Sequence, residues 1–397
     1  MAIELRTPTD DDWAGIARTD GQNFGMAYTE ESAARAGRLV DLGRFRIATD
    51  GREIVGVAGS FALEVSVPGG ASVPTGGVTW VSVSVTHRRR GLLTRLLDAV
   101  HRDIEDRGEP VASLYASEGG IYERFGYGAA TQVRSVTIDA RRARIRAEHR
   151  PEPGAVRFAA PDEAALALSS RWERWWRARA GEVRRSDLHR ELLAERVTRA
   201  LGDWTPAHAL LHDDGHVLYR MRQDWDRGHP KHEVDVVEQV AMTTQARAAL
   251  WHTLLSIDLV GTVTTRQLPL DDPLPYLLED GRLVRTNDLT DGIWAFVLDV
   301  PTAFGARTYA TSDRLVVETE RGRWAIDGSP EGGDVKAVRT RPDLTLTHAS
   351  LGALLYGGVR PSALAAGARL TARTADLLRR ADLLFPTATL PHCQTQY

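Results

Sequence analysis

The stretch Val81-Ser82-Val83-Ser84-Val85-Thr86-His87-Arg88-Arg89-Arg90-Gly91-Leu92-Leu93-Thr94-Arg95-Leu96-Leu97-Asp98-Ala99-Val100 decides the fold. Its first residues alternate apolar and polar, and from Leu92 the apolar residues recur at helical spacing. A change from period 2 to period 3.6 predicts strand, tight turn and helix. Gly91 lets backbone approach a ligand with no Cβ in the way. Free N–H groups at a helix start, with Arg88, Arg89 and Arg90 beside them, suit a phosphate group. An ordinary strand–helix junction with solvated arginines is the other reading of the same residues.

Composition bounds the rest. A chain of 397 residues predicts two to three domains. The net charge of −3 gives no general argument for nucleic acid or an anionic membrane. Of the 50 basic residues only Lys231 and Lys336 are lysine, a bias toward arginine that reads as genomic composition. One cysteine, Cys393, excludes an intramolecular disulfide and a cysteine-rich metal site, so no metal is expected. Residues 1–12 lack the basic and apolar regions of a signal peptide. No apolar run is long enough to span a bilayer. The expected location is the reducing cytoplasm.

Taken in order, residues 1–138 read as one α/β unit. A short strand at residues 3–6 precedes a helix over 10–24 with an acidic first turn, favourable against the helix dipole. Thr29-Glu30-Glu31-Ser32 caps a second helix reaching about Val40. Residues 44–48 and 53–67 form a hairpin about Asp50-Gly51. The strand and helix of the opening stretch follow, then a strand at 111–116, a turn with a short helix over 117–127, and a final strand at 131–138. Residues 139–155, rich in arginine and proline, form a connecting segment. A second unit extends to about residue 285, with a strand at 234–240, a helix over 242–257 and a strand at 259–264. That plan repeats 81–116. Its loop, Ala241-Met242-Thr243-Thr244-Gln245-Ala246-Arg247, has neither the glycine nor the paired arginines to hold pyrophosphate. The Trp-rich run Arg171-Trp172-Glu173-Arg174-Trp175-Trp176 reads as core packing. From 286 the pattern is α+β: a strand at 293–300, a helix from 301, a hairpin of 314–320 with 323–327, a short strand at 344–346, and helices over 350–356, 361–366 and 371–384.

These motifs carry a resemblance. Arg88-Arg89-Arg90-Gly91-Leu92-Leu93 resembles the acetyl-CoA signature of GNAT N-acetyltransferases, Arg/Gln-x-x-Gly-x-Gly/Ala, with Leu93 where the family has a small residue. Ser117-Glu118-Gly119-Gly120-Ile121-Tyr122-Glu123-Arg124-Phe125-Gly126-Tyr127-Gly128 resembles the hallmark of the enhanced-intracellular-survival (Eis) family. The segments around Asp343-Leu344-Thr345-Leu346 and Leu351-Gly352-Ala353-Leu354-Leu355-Tyr356-Gly357-Gly358 resemble a sterol-carrier-protein-like domain. The implied fold is α/β (α+β): a catalytic GNAT domain (1–138), a linker and degenerate GNAT-like domain (139–285), and a sterol-carrier-like domain (286–397).

The resemblance also implies roles. Acetyl-CoA would lie along Val81, Ser82 and Val83, with its pyrophosphate on Arg89, Arg90, Gly91, Leu92, Leu93 and Thr94, helped by Arg88, and with Ser117 and Glu118 as further contacts. A backbone N–H of the 81–83 strand would polarise the thioester carbonyl. Tyr122 would be the general acid; the residues alone do not choose between it and Tyr127. A thiolate pKa is about 8.5 and a phenol about 10, so the phenol helps only if aimed at the developing charge. The α-carboxylate of Tyr397 would be the general base, although a disordered tail is the ordinary expectation for a chain end. Phe24, Tyr28 and Trp80 are candidate acceptor-pocket aromatics, each also readable as core. The implied acceptors are polyamines such as aminoglycosides, or lysine side chains, and the implied assembly is a homohexamer. Three rivals stay open: Cys393 as a covalent nucleophile, an acetyl-CoA sensor without turnover, and a lipid-binding protein using the third domain.

Overall fold

A computed structural model describes residues 3–397 of the chain. They form two units. The first comprises residues 3–130, Ile293–Thr387 and Gln396–Tyr397; the second comprises Thr131–Gly292 and Ala388–Thr395.

The first unit holds a seven-stranded sheet in the order Glu4–Arg6, Phe45–Asp50, Glu53–Ser66, Ser72–Val83, Val111–Tyr115, Ile293–Val297, Gly128–Ala129. Its one parallel pair joins Ser72–Val83 to Val111–Tyr115. The helix Leu92–Asp106 provides the crossover between them. That helix buries Leu92, Leu96, Leu97, Val100 and Ile104, a stripe at helical spacing, against Val55, Ala58, Val78, Ala112 and Leu114 of the sheet. Gly108, at φ 73°, ends it by turning the chain left-handed.

The same unit contains a five-stranded sheet in the order Gly332–Ala337, Gly322–Ser329, Asp313–Thr319, Leu344–Leu346, Leu370–Ala372. The helix His348–Leu354 ties it to the first sheet: His348 Nε2 lies 2.5 Å from the Val297 carbonyl. Arg307 is fully buried. It donates to the carbonyls of Leu354 and Leu355 at 2.8 Å, at the electronegative end of that helix, and to Phe385. Burial pulls its pKa down to about 10, so it remains a cation held by carbonyl dipoles.

The second unit has a seven-stranded sheet in the order Val284–Asp291, Gln132–Asp139, Val260–Leu268, His232–Ala241, Gly215–Arg222, His208–His212, Arg157–Phe158. Its parallel pair is His232–Ala241 with Val260–Leu268, joined by the helix Thr244–Leu255.

Several expectations are corrected. The strand expected at 131–138 to finish the first unit lies in the sheet of the second, between Val260–Leu268 and Val284–Asp291. The strand expected to open the third domain, Ile293–Val297, instead completes the first sheet, with Ala295 opposite Ser113. Both choices are made by partners distant in sequence, which a local pattern does not encode. The strand expected from Val81 begins at Ser72 and ends at Val83, and Val85 is two-thirds exposed in a single 3₁₀ turn. Of the helix expected over 371–384, Thr371 and Ala372 belong to the strand Leu370–Ala372 and the helix spans Ala375–Leu384, and Gly332–Ala337 is an additional strand.

Leu96→Ala should destabilise the protein by about 2–5 kcal/mol, because the fully buried side chain would leave a cavity between helix and sheet. Denaturant unfolding followed by tryptophan fluorescence checks this. A loss below about 1 kcal/mol would contradict the packing described.

Candidate active site

The site begins with a mismatch in a strand pair. Ser82 stands opposite Val57 and Thr79 opposite Gly59, so two residues, Trp80 and Val81, face one, Ala58. Trp80 absorbs the extra length at φ 54°. Such a bulge bends its strand and flips the alternation. For that reason Ser82, and neither neighbouring valine, is the buried residue of 81–83. On the other edge of this strand, parallel pairing ends at Gly77 opposite Ser113. Residues 78–83 run on while the partner strand stops at Tyr115.

Tyr397 lies where the strands part. Its hydroxyl and that of Ser113 are 2.7 Å apart, and its ring meets Tyr115 edge-on at 5.4 Å. A Cβ on Gly77 would come within 2.9 Å of the Tyr397 ring and 2.4 Å of Leu63, so only glycine leaves room.

The arginine turn follows the strand. Arg89 (φ 62°) and Gly91 (φ 74°) both adopt left-handed backbone and direct the chain into the helix. A Cβ on Gly91 would meet open space. Arg88, Arg89, Arg90 and Thr94 are exposed. The first helical hydrogen bond is Arg95 N–H to the Gly91 carbonyl, which leaves the N–H groups of 92–94 without a partner inside the helix. His87, placed between Thr86 Oγ1 at 2.7 Å and Asp50 Oδ2 at 3.3 Å, anchors the turn. Leu92 is buried, and Leu93, the departure from the signature, packs half-buried on the same core. The residues present therefore fit a pyrophosphate.

Ser117, Glu118 and Tyr122 are brought together by the short helix Gly119–Tyr122. Tyr122 is buried, and burial raises its phenol above the ordinary value; the Glu118 charge adds to this and a hydrogen bond with Ser117 opposes it. The rival Tyr127 is fully buried and shares a 2.8 Å hydrogen bond with His101 Nε2. Tyr28 stacks on Trp80 at 5.7 Å, and the Trp13 ring lies tilted 5.1 Å from that of Trp80. The Tyr28 hydroxyl donates to Asp20 Oδ2 at 3.0 Å. Phe24 is exposed at the end of the helix Trp13–Phe24, outside this stack.

Sequence reasoning missed Ser113, Tyr115 and Asp20. Asp20 carried a signal: it lies one turn from Ile16 on the inward face of its helix, where a carboxyl is costly. Its Oδ1 is buried and makes no hydrogen bond among the described residues. Burial raises the pKa of this carboxyl, and the Tyr28 bond opposes the rise. Cys393 does not serve as a nucleophile poised for acyl transfer, since it is buried in the second unit with its Sγ on Glu182 Oε1 and the Thr395 carbonyl.

Comparison with known proteins bears on this arrangement. Acetyltransferase (GNAT) domain models match residues 4–130 and 167–290, and a sterol carrier protein domain model matches 300–394. The chain is 38% identical to N-acetyltransferase Eis of Mycobacterium tuberculosis over 404 aligned residues, covering 97% of each chain. The chain belongs to the Eis family. It is also 33% identical to an uncharacterized N-acetyltransferase of Streptomyces avermitilis, covering 98% of each. The crystal structure of Eis1 from Mycobacterium abscessus superposes with a TM-score of 0.86 at 31% identity, covering both chains completely. Like other Eis-family members, the protein is an N-acetyltransferase built from two GNAT folds and a sterol-carrier-like fold, and GNAT acetyltransferases use acetyl-CoA. Among the described residues no helix is long and apolar enough to cross a membrane, and no group of three or more acidic, His or Cys side chains could hold a metal ion.

His101 gives a test of the Tyr127 anchor. Burial, aided by the Arg321 charge, lowers its pKa to about 4 from an ordinary value of 6.5. The folded state therefore keeps it neutral while the unfolded chain takes up a proton below pH 6.5. Its contribution to stability is complete above pH 6.5 and declines as pH falls toward 4. The unfolding midpoint should drop across this window, and His101→Gln should flatten the slope by up to one proton. An unchanged slope in the variant would show that His101 titrates normally.

Proposed function

We propose that the protein moves acetyl directly from acetyl-CoA to amines of polyamines such as aminoglycosides, at more than one position, or to lysine side chains. The observation that carries this reading is Tyr397 at the parting of the two parallel strands, beside Ser113 and Tyr115. In this reading the N–H groups of Leu92, Leu93 and Thr94, with Arg88, Arg89, Arg90 and Gly91, bind the pyrophosphate. The edge of Val81–Ser82–Val83 takes the pantetheine arm, and a backbone N–H there polarises the thioester carbonyl. Ser117 and Glu118 border the sulfur end.

The acceptor amine, mostly protonated at neutral pH, first releases one proton to solvent; the neutral amine attacks, the Tyr397 carboxylate accepts its second proton as the C–N bond forms, and that proton returns to Tyr122 after the thiol has left. Tyr122 keeps its own proton at neutral pH because burial raises its pKa. It directs that proton at the sulfur as the C–S bond breaks, and the thiol leaves with one proton. The aromatic faces of Trp80 and Tyr28, with Phe24, suit a cationic acceptor. A homohexamer is part of the same reading, and light scattering should find six chains per particle.

Tyr122→Phe, and separately the addition of one glycine after Tyr397, should each lower kcat by roughly 10². Free-thiol release with a panel of aminoglycosides and lysine peptides measures this, and mass spectrometry counts the acetyl groups. Full turnover in both variants would refute the assigned acid and base. Arg89→Ala with Arg90→Ala should raise the acetyl-CoA KM roughly tenfold, as expected for lost hydrogen bonds to a charged group. The effect should shrink in high salt. An unchanged KM would remove the arginines from the cofactor site.

A further inference from the structure

The second unit repeats the parting of parallel strands and fills it. Its parallel pairing runs from His232 opposite Val260 to Val236 opposite Thr265; one strand then continues to Ala241 and the other to Leu268. Between these ends lies the chain's own 388–395 segment. The Gln394 side chain donates to the Gln239 carbonyl at 3.1 Å and accepts from the Gln239 N–H at 3.2 Å, so it pairs with the strand as a neighbouring backbone would. His392 faces the other strand, with Nε2 3.2 Å from the Gln267 carbonyl, and its N–H donates to the Ala180 carbonyl at 3.0 Å.

A buried carboxylate holds the segment from below. Glu182 is fully buried and accepts from the N–H of Gln394 at 2.9 Å, from Cys393 Sγ at 3.3 Å and from the N–H of Val183 at 3.1 Å. Arg185 donates to Thr395 Oγ1 at 3.2 Å and pairs with buried Glu238. Arg179 donates to the Leu390 carbonyl at 2.6 Å, while Asp271 accepts from the Leu390 N–H at 2.8 Å. Meanwhile the helix start that would meet a phosphate is closed: Thr243 Oγ1 accepts from the Ala246 N–H, and Arg247 pairs with buried Asp272.

We propose that the second acetyltransferase-like fold is a receptor for the 388–395 segment, anchored by Glu182 and Gln239, and that this docking holds the Tyr397 carboxylate in its catalytic place. The second half of that statement rests on the general-base reading given above. Thr395 is two residues from Tyr397, so the docked segment leaves the carboxylate a tether of roughly 7 Å at most. Glu182 and Gln394 act as positioning residues through that tether.

The test uses the full chain with Gln394→Ala, a half-buried position that should not disturb folding, and Glu182→Gln as a second variant. Carboxypeptidase release of Tyr397 is followed by mass spectrometry, alongside kcat and the acetyl-CoA KM. Each variant should release Tyr397 at least about tenfold faster and lose about tenfold in kcat, with KM within twofold of the parent, because Gln394→Ala removes two hydrogen bonds to Gln239 and Glu182→Gln replaces one acceptor oxygen by an NH2 facing a donor. Unchanged protection of Tyr397 in both variants would overturn the docking. Faster release with unchanged kcat would overturn its link to catalysis. The glycine-extended chain then tells why: if it also turns over fully, the base reading has failed, whereas if it is inactive, only the positioning role has.

Discussion

Two strands that stop pairing before they end are the constraint on which the rest of the structure depends. Parallel pairing between Ser72–Val83 and Val111–Tyr115 covers only three register positions, ending at Gly77 and Ser113. The bulge at Trp80 turns the remainder of the strand aside, and the helix Leu92–Asp106, packed on the sheet through its leucines, fixes the arginine turn at the strand's far end. Backbone polar groups along the open edge must find partners, because a buried unpaired group is expensive. A ligand with amide groups along its length satisfies that need, and so does a stretch of polypeptide. In the second unit a stretch of polypeptide meets this demand.

The sterol-carrier-like fold is bound into the first unit by backbone-level contacts. His348 reaches the Val297 carbonyl, and a Cβ on Gly128 would fall 1.8 Å from the Ala349 carbonyl oxygen. The interior holds the Arg307 guanidinium against helix-end carbonyls. A cation so placed costs desolvation that the carbonyl dipoles offset, and it fixes the positions of Leu354, Leu355 and Phe385 together.

How much of this was legible in the sequence depended on the range of the interactions involved. The strand–turn–helix at 81–100 was readable because period, glycine and arginines are all local. The repetition of that plan at 234–264 was readable for the same reason, as was the loss of its phosphate turn. Sheet membership of Gln132–Asp139 and Ile293–Val297 was not, since each strand alternates equally well for either sheet and the choice is made by a distant register. The reversal of alternation at Ser82 was hidden too, because the bulge depends on Ala58 across the sheet. Tyr122 and Tyr127 differ in surroundings that the sequence does not display: one is near Ser117 and Glu118, the other is fixed by His101.

The late arrival of Ile293–Val297 in the first sheet has a consequence for biogenesis. When Val111–Tyr115 leaves the ribosome, its outer edge waits for a partner that has yet to be synthesised. At roughly 5–20 residues per second the wait lasts on the order of ten seconds or more, with an apolar strand edge uncovered. The nascent N-terminal domain keeps that edge unpaired until then. Expressed alone, it would carry the same open edge permanently, which makes the isolated domain a poor starting point for engineering.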